Sequence, residues 1–525
     1  VDTDPGPGVT PTCQSVVDGT DPNCVPYNVF TPNSVSAAAL AYLQIPLMQT
    51  GETIQQNLVA TVAGDLGFGS PAAESNFQTA FGVEYRRDEL NTTTDTSFSS
   101  GDGAGQGGPT LGLSGVTDAF EIFGEARLPL VEGAPMADLI SVDLAYRFSS
   151  YMSGVETDTY KIGADWAPTE DIRFRGSFAR AVRAANVIEL FSAQGAGLFD
   201  MTDDPCDLTD PGGDGTGLAS VCQAVAPLAY QVTAAQAGGG GLDSPAGQYN
   251  GLFGGNPNLA PESADTITIG LVFTPRFIEG LAVSIDYFNI DVVDTVSTVS
   301  PTLTVSDCFN EGNLSSCALI TRNPGTGQLW VGTGFVSALN TNIGGLSTVG
   351  IDINADYCFE IGGMGSLGFQ LVGTYLDELV TDPGAITGVK PYDCVGFYAS
   401  DCGTPNPEWR HRFRVNWETP VGLDLNFTWR YFGSVDKASA SFTTNGHLPV
   451  LNRLDSTFDA ENYFDIAGTY SMYENTKLRF GINNVMDNDP PISDGVGAGA
   501  GNGNTFPQVY DSLGRWIFAG VTVDF

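Results

Sequence analysis

The chain has 525 residues, and its 61 acidic against 21 basic side chains leave a net charge of −40. Nucleic acid is excluded as a partner, because its binding rests on attraction to phosphate. No run of about 18 apolar residues exists to cross a membrane as a helix, although strands that cross one need only alternate.

The chain opens with VDTDPGPGVTPTC, which lacks the basic start and apolar stretch of a secretory signal. Residues 1–52 read as a loop segment. From residue 53 onward, strand-like segments recur at 53–66, 75–89, 116–130, 137–150, 156–167, 170–182, 263–275, 280–293, 334–359, 366–380, 408–419, 421–433, 460–473, 475–486 and 514–525. Residues 421–433 show the pattern most clearly. Leu423, Leu425, Phe427, Trp429 and Tyr431 alternate with Asp424, Asn426, Thr428 and Arg430, giving one oily and one wet face. Phe413, Val415 and Trp417 alternate in the same way with Arg412, Arg414 and Asn416. These lengths suit the roughly 9–11 residues of a tilted membrane strand.

The connections sort by length. Short ones (FGSPAAES, VEGAPM, PTE, RFIEG, EIGGMGS, TPVG, YEN) alternate with long ones near 90–115, 183–262, 294–333, 381–407, 434–459 and 487–513. Only the link at Ser153-Gly154 is short where a long one is expected. Short turns at one rim and long loops at the other predict an all-β, antiparallel transmembrane barrel, with the long loops outside the cell and the short turns in the periplasm. Trp166, Tyr357, Trp417, Tyr470 and Phe525 fall late in strands running toward the short-turn rim; Tyr85, Tyr146, Trp429 and Tyr431 fall late in strands running the other way. They fit two interfacial belts. Fifteen strands are an odd set whose first and last members run the same way, so further strands are expected before residue 53.

Eight of the nine cysteines form close pairs in loop-like segments: Cys13/Cys24, Cys206/Cys222, Cys308/Cys317 and Cys394/Cys402. Without a C-x-x-C, and with only His411 and His447 in the chain, they predict disulfides and an oxidising compartment rather than zinc. Cys358 is left over, in the polar register near the short-turn rim.

Several ordered motifs carry a family resemblance. RGSFARAVRAANVIELF from Arg175, GNPNLAPESADTITIG from Gly255, LAVSIDYFNID from Leu281, RFGINNVMDNDPP from Arg479 and the ending YDSLGRWIFAGVTVDF resemble stretches of TonB-dependent outer-membrane receptors, with Ala185 standing where proline is usual. The resemblance implies a barrel of about 22 strands with a plugged lumen. Residues 53–525 would be its C-terminal portion and residues 1–52 an extracellular loop; the plug and the TonB-contacting segment would lie outside this sequence. It implies a receptor in a Gram-negative outer membrane that binds a scarce nutrient, whether ferric siderophore, cobalamin or oligosaccharide, for TonB-energised uptake. A passive porin and a soluble carbohydrate-binding β-protein are the alternatives.

Candidate ligand residues are Arg180, Arg183, Asn186 and Glu189, where a strand enters the largest loop, and Asn256 and Asn258, where that loop returns. Strand-end hydrogen bonding is the competing role for these side chains. Ile517, Ala519, Val521, Val523 and Phe525 form one face of the final strand, and resemble the signal read by the barrel-insertion machinery. Arg127, Arg147, Arg173, Arg175, Arg410, Arg412, Arg414, Arg430 and Arg479 share the polar register with Glu121, Glu125, Asp143, Asp165, Glu418 and Asp424. They suit a watery wall of cross-strand ion pairs that grips a plug, or a path for an anionic solute. In the acidic loop, Asp200, Asp203, Asp204 and Asp207 are the candidate calcium ligands, followed by Asp210 and Asp214, without EF-hand spacing. No other cofactor is expected. The Walker, H-E-x-x-H and G-x-S-x-G motifs are absent, so no enzyme is expected.

Overall fold

The computed structural model describes residues 12–27, 32, 34–103, 109–201, 203–207, 221–222, 241–384, 391–399, 402–438, 455–493 and 504–524. Fifteen strands form one antiparallel meander in chain order. They are β1 (Gln49–Asp65), β2 (Gln78–Thr94), β3 (Leu113–Ala134), β4 (Ala137–Tyr151), β5 (Glu156–Thr169), β6 (Ile172–Arg183), β7 (Glu262–Phe273), β8 (Leu281–Val293), β9 (Gly345–Glu360), β10 (Ser366–Asp382), β11 (Trp409–Glu418), β12 (Leu423–Phe432), β13 (Glu461–Tyr473), β14 (Thr476–Asn483) and β15 (Trp516–Val523). Each of the fifteen predicted segments overlaps one of these strands. The barrel is not closed: β1 and β15 each pair on one side only among the described residues.

Alternation within each strand becomes continuous rows across the sheet, because antiparallel partners point the same way. Phe427 of β12 lies opposite Val415 of β11 and Ile466 of β13, whereas Thr428 lies opposite Arg414 and Asp465. The apolar rows face away from the rest of the molecule. Ile269 is 60% exposed, Phe427 37% and Phe480 36%, and the strands contact mainly their own sheet neighbours. A soluble sandwich would cover this face with a second layer. Aromatics stack across it near the short-turn rim, from Tyr357 to Phe359, Phe369 and Phe413, with centroid steps of 5.1, 6.0 and 6.3 Å. Toward the long-loop rim, His411 packs between Trp429 at 4.5 Å and Tyr431 at 5.2 Å.

The short turns are tied by charge. Arg276, after β7, reaches Glu170 at 2.8 Å and Asp171 at 3.0 Å in the turn between β5 and β6. Strand β9 departs from expectation. The segment predicted as one strand from residue 334 breaks, with residues Phe335–Leu339 leaving the wall and β9 starting at Gly345. Gly344 explains the break. Its φ is +65°, and a Cβ there would sit 1.7 Å from the Asp382 carbonyl oxygen, so only glycine fits.

The long loops have cores of their own. In the first loop body, Ile320–Thr321, Phe335–Leu339, Gln248–Gly254 and Gly195–Asp200 make a four-stranded sheet, whose middle pair is parallel. Leu242, Tyr249, Phe309, Leu329 and Val336 are fully buried there, beside the Cys206–Cys222 and Cys308–Cys317 disulfides. The second body buries Tyr398, Val435, Phe458, Tyr463, Phe506 and Tyr510. Cys394–Cys402 closes one of its loops, and Lys437 pairs with Asp455 at 2.5 Å. Cys13–Cys24 closes a fourth loop, ahead of the helix Ala37–Leu43.

The two faces of β7 should respond differently to charge. Ile269→Arg places a cation among the apolar rows and should destabilise the protein by about 2–4 kcal/mol in a bilayer. Its neighbour Thr268, hydrogen-bonded to Ser177 at 2.8 Å on the polar face, should accept arginine at well under half that loss. Urea unfolding in lipid vesicles measures both, and equal losses would contradict the assignment of faces.

Candidate functional site

The site begins where β6 ends. The chain leaves the sheet at Arg183 and forms the helix Val187–Phe191. Asn186 caps that helix. Its side chain accepts from the Glu189 amide at 2.9 Å, and Glu189 accepts from the Asn186 amide at 2.8 Å, a reciprocal capping box. The guanidinium of Arg183 lies between two carboxylates. It donates to Glu262 at 2.7 and 2.6 Å and to Glu189 at 3.0 and 3.1 Å. Departing strand, helix and returning strand β7 thus meet on one cation.

The return of the loop is fixed by amides. The Asn256 backbone N–H donates to the Glu189 carbonyl at 2.9 Å, and its side chain donates to the Asn340 carbonyl at 2.9 Å. Asn340 donates to the Glu189 carbonyl at 3.0 Å. The Asn258 amide donates to the Asn256 side chain at 3.0 Å, a local turn. Arg183, Asn186, Glu189, Asn256 and Asn258 are therefore brought together, and their hydrogen bonds set strand ends and loop entry. Asn340 completes the cluster from the other long loop; nothing local in its sequence marks it.

Arg180 lies elsewhere. Register places it opposite Tyr160 and Asp265, on the face that carries Phe178 and Ile267. It binds Asp265 at 2.7 and 2.5 Å. One residue of strand parity separates it from Arg183.

Beneath the helix, on the polar face, lies a cavity of about 580 Å³ lined by Arg183, Asn186, Ile188, Arg147, Glu121 and Ser149, among others. Arg147 donates to Glu121 at 2.7 Å and to Glu84 at 3.1 Å, and Ser149 donates to Glu121 at 2.6 Å. The Arg147 guanidinium also lies 4.7 Å over the Phe123 ring. Alternation puts these residues on the polar face; only register shows that β2, β3 and β4 meet on Arg147. The cavity combines polar donors and acceptors with an apolar helix side chain, as small-molecule sites do.

In the acidic loop, Asp204 is held by Arg322 at 2.7 and 2.8 Å, with the two side chains 0% and 8% exposed. The Arg322 guanidinium lies 5.0 Å over Phe309. The amide of Asp204 donates to Asp243 at 2.6 Å, and the amide of Asp243 donates to Asp207 at 3.0 Å. Asp200 ends a strand of the same body, and Asp203 lies close enough to act on Asp243 electrostatically. Among the described residues, no three such side chains are arranged to hold a metal ion, so calcium gains no geometric support there. Asp210 and Asp214 lie outside the described residues, as does Phe525. Ile517, Ala519, Val521 and Val523 are exposed along one face of β15. Cys358 is a free, exposed thiol opposite Gly368, in the row direction of Asp356.

Burial pushes the Asp243 carboxyl up to about 6; the neighbouring Asp207, Asp204 and Asp203 carboxylates add to this, and the Asp204 amide opposes it. The folded loop body then retains a proton that an unfolded chain, at 3.8, has released. Its stability should fall as pH rises from about 4 to 6, and Asp243→Asn should flatten that slope in proteolysis of the loops. At Arg183, Arg183→Gln should speed amide exchange in 187–191 and 255–262 while sparing the centre of β6. A cost of about 1 kcal/mol is expected, because nearly half of the side chain is in solvent.

Comparison with known proteins places this geometry. No curated protein matches the chain. A mutant ferric enterobactin receptor of Pseudomonas aeruginosa, in complex with enterobactin, superposes with TM-score 0.56 at 14% identity, covering 91% of this chain and 55% of that one. The siderophore receptor PirA from Acinetobacter baumannii gives TM-score 0.53 at 15% identity, covering 91% and 55%. The FrpB iron transporter from Neisseria meningitidis gives 0.50 at 11%, covering 90% and 55%. The chain thus spans about half the length of these structures, and the likeness is one of fold. The family model described as TonB dependent receptor-like, beta-barrel matches residues 21–485. The chain belongs to the TonB-dependent receptor β-barrel family, whose members are outer-membrane transport receptors rather than enzymes.

Proposed function

We propose that this chain is the barrel portion of an outer-membrane receptor that captures a ferric siderophore at its extracellular side for TonB-energised uptake into the periplasm. The observation that carries this reading is the family-wide meander with an uncovered apolar face, a polar face behind it, and long loops folded into bodies above the Arg183–Arg147 cavity. The iron-related names of its structural neighbours support a ferric chelate over cobalamin or an oligosaccharide. In this reading, TonB is engaged through a part of the protein outside the sequence, and the outward face of β15 is offered to the insertion machinery. A soluble carbohydrate-binding protein is disfavoured by the uncovered rows of Ile269, Phe427 and Phe480.

The test is genetic. Deleting the gene in its Gram-negative host should abolish growth when one ferric siderophore is the sole iron source, and deletion of tonB should have the same effect. Loss of growth on cobalamin or an oligosaccharide instead would reassign the ligand. Unchanged uptake of all three classes would overturn the receptor reading.

A further inference from the structure

The short turns carry a pattern that uptake does not require. Met136 lies between β3 and β4, Phe277 between β7 and β8, Met364 between β9 and β10, and Val421 between β11 and β12. Each is a large apolar residue, and each is 60–78% exposed. None lies in a turn beside the unpaired edges of β1 and β15, so the open seam does not account for their exposure. Turns that face water are built mainly from Gly, Asn, Asp, Ser and Pro. Met136 stands in its turn at φ +60°, a conformation that suits glycine or asparagine better. With most of its side chain exposed, little packing inside the protein offsets that cost.

These tips continue the apolar rows of the wall. The Phe277 ring lies 6.4 Å from Phe273, which stands in the apolar register opposite Ile172 and Val283. Trp166 donates its indole N–H to the Met136 carbonyl at 3.0 Å, and Trp417 donates to the Met364 carbonyl at 2.9 Å. Both indoles belong to the outward rows: Trp166 stacks on Phe174 at 5.4 Å, and Trp417 lies opposite Leu367 and Leu425. Tryptophans of this kind mark the membrane–water interface. Here one hydrogen bond separates each of them from a turn tip. Several polar groups of the turns are also paired within the protein. The Ile361 amide donates to the Gly365 carbonyl at 2.8 Å, the Arg276 amide donates to Asp171 at 2.9 Å, and the Arg276 side chain is paired with Glu170 and Asp171. Such pairing lowers the cost of leaving water.

We propose that the short-turn rim is a lipid-binding surface. Met136, Phe277, Met364 and Val421 enter the boundary between headgroups and acyl chains of the inner leaflet, so the turns lie within the membrane interface and not in periplasmic water. The occupant is phospholipid rather than a protein, because the tips are spread along the sheet from β3 to β12 and are joined to its lipid-facing rows by the contacts above. Apolar side chains sunk to this depth hold a protein at a fixed level in the bilayer, and the hold grows with the apolar area buried. The proposal rests on the membrane-barrel fold and goes beyond the uptake reading, since it is independent of the ligand.

The test uses the full-length protein carrying Cys358→Ser, in vesicles of phosphatidylethanolamine and phosphatidylglycerol. Phe277→Cys, Met364→Cys and Val421→Cys each receive a nitroxide spin label, and Asp459→Cys, exposed near the second loop body, is the water-side reference. Collision of the label with oxygen, which concentrates in lipid, is compared with collision with a water-soluble nickel chelate. The oxygen-to-nickel ratio at the three turns should exceed that at 459 by about fivefold. Three separate positions keep the test decisive if one variant misfolds. Equal ratios at the turns and at 459 place the turns in water and overturn the proposal. Protection from both reagents means that a protein surface covers the rim, and overturns it too. In a second arm, Phe277→Asp, Met364→Asp and Val421→Asp are combined, and a label at Met136→Cys should then shift toward the ratio at 459; no shift overturns the role given to these side chains. None of these outcomes bears on growth with a ferric siderophore, so the receptor reading stands or falls separately.

Discussion

Lateral pairing of backbone groups is the constraint on which this molecule depends. Strand N–H and C=O groups facing hydrocarbon have no water to bond, so each must find a partner on a neighbouring strand. The unbroken pairing of β2 with β1 from Gln78 to Thr94, and with β3 from Gln78 to Thr92, shows that requirement met on both sides of β2. Once the backbone is satisfied within the sheet, side chains separate by parity alone. The apolar rows can then lie exposed, and the polar rows can carry charge.

Several ion pairs of the polar face run across strands, beside the pair Arg86–Asp88 within β2. Arg147 gathers carboxylates from β2 and β3, Arg175 reaches β8, and Arg183 joins the end of β6 to the start of β7. Each guanidinium presents a planar fork that can serve two acceptors, which suits the scarcity of bases in an acidic chain. The same economy operates in the loops, where Arg322 neutralises Asp204 inside a core. Burying such a pair is costly unless its geometry is good. The two-point contact and the Phe309 ring beneath it meet that condition.

The loop bodies carry this organisation outward. Their disulfides span short separations of 8 to 16 residues, so each constrains only its own loop. What joins the two longest loops is the parallel pairing of 251–254 with 336–339, together with the hydrogen bonds of Asn256 and Asn340. The capping box and the Arg183 clamp then attach the joined loops to the end of the wall. The helix Val187–Phe191 is thus shared by the loop attachment and the lining of the cavity.

Period-two alternation, the sorting of connection lengths and the spacing of cysteines were local, and from them the sequence by itself determined all fifteen wall strands, the polar and apolar faces and the four disulfide pairs. Five of the six candidate ligand residues converge as their motif implied, because they flank the two ends of one loop. Arg180 does not, since a one-residue change of parity reverses a side chain's direction and the stretch after Phe178 alternates weakly. Only the tertiary structure decided which acid meets which arginine, that Asn340 joins the site, and that the long loops have cores. Those outcomes depend on contacts between residues far apart in the chain. Such contacts are set by strand register and loop closure, which no local pattern records.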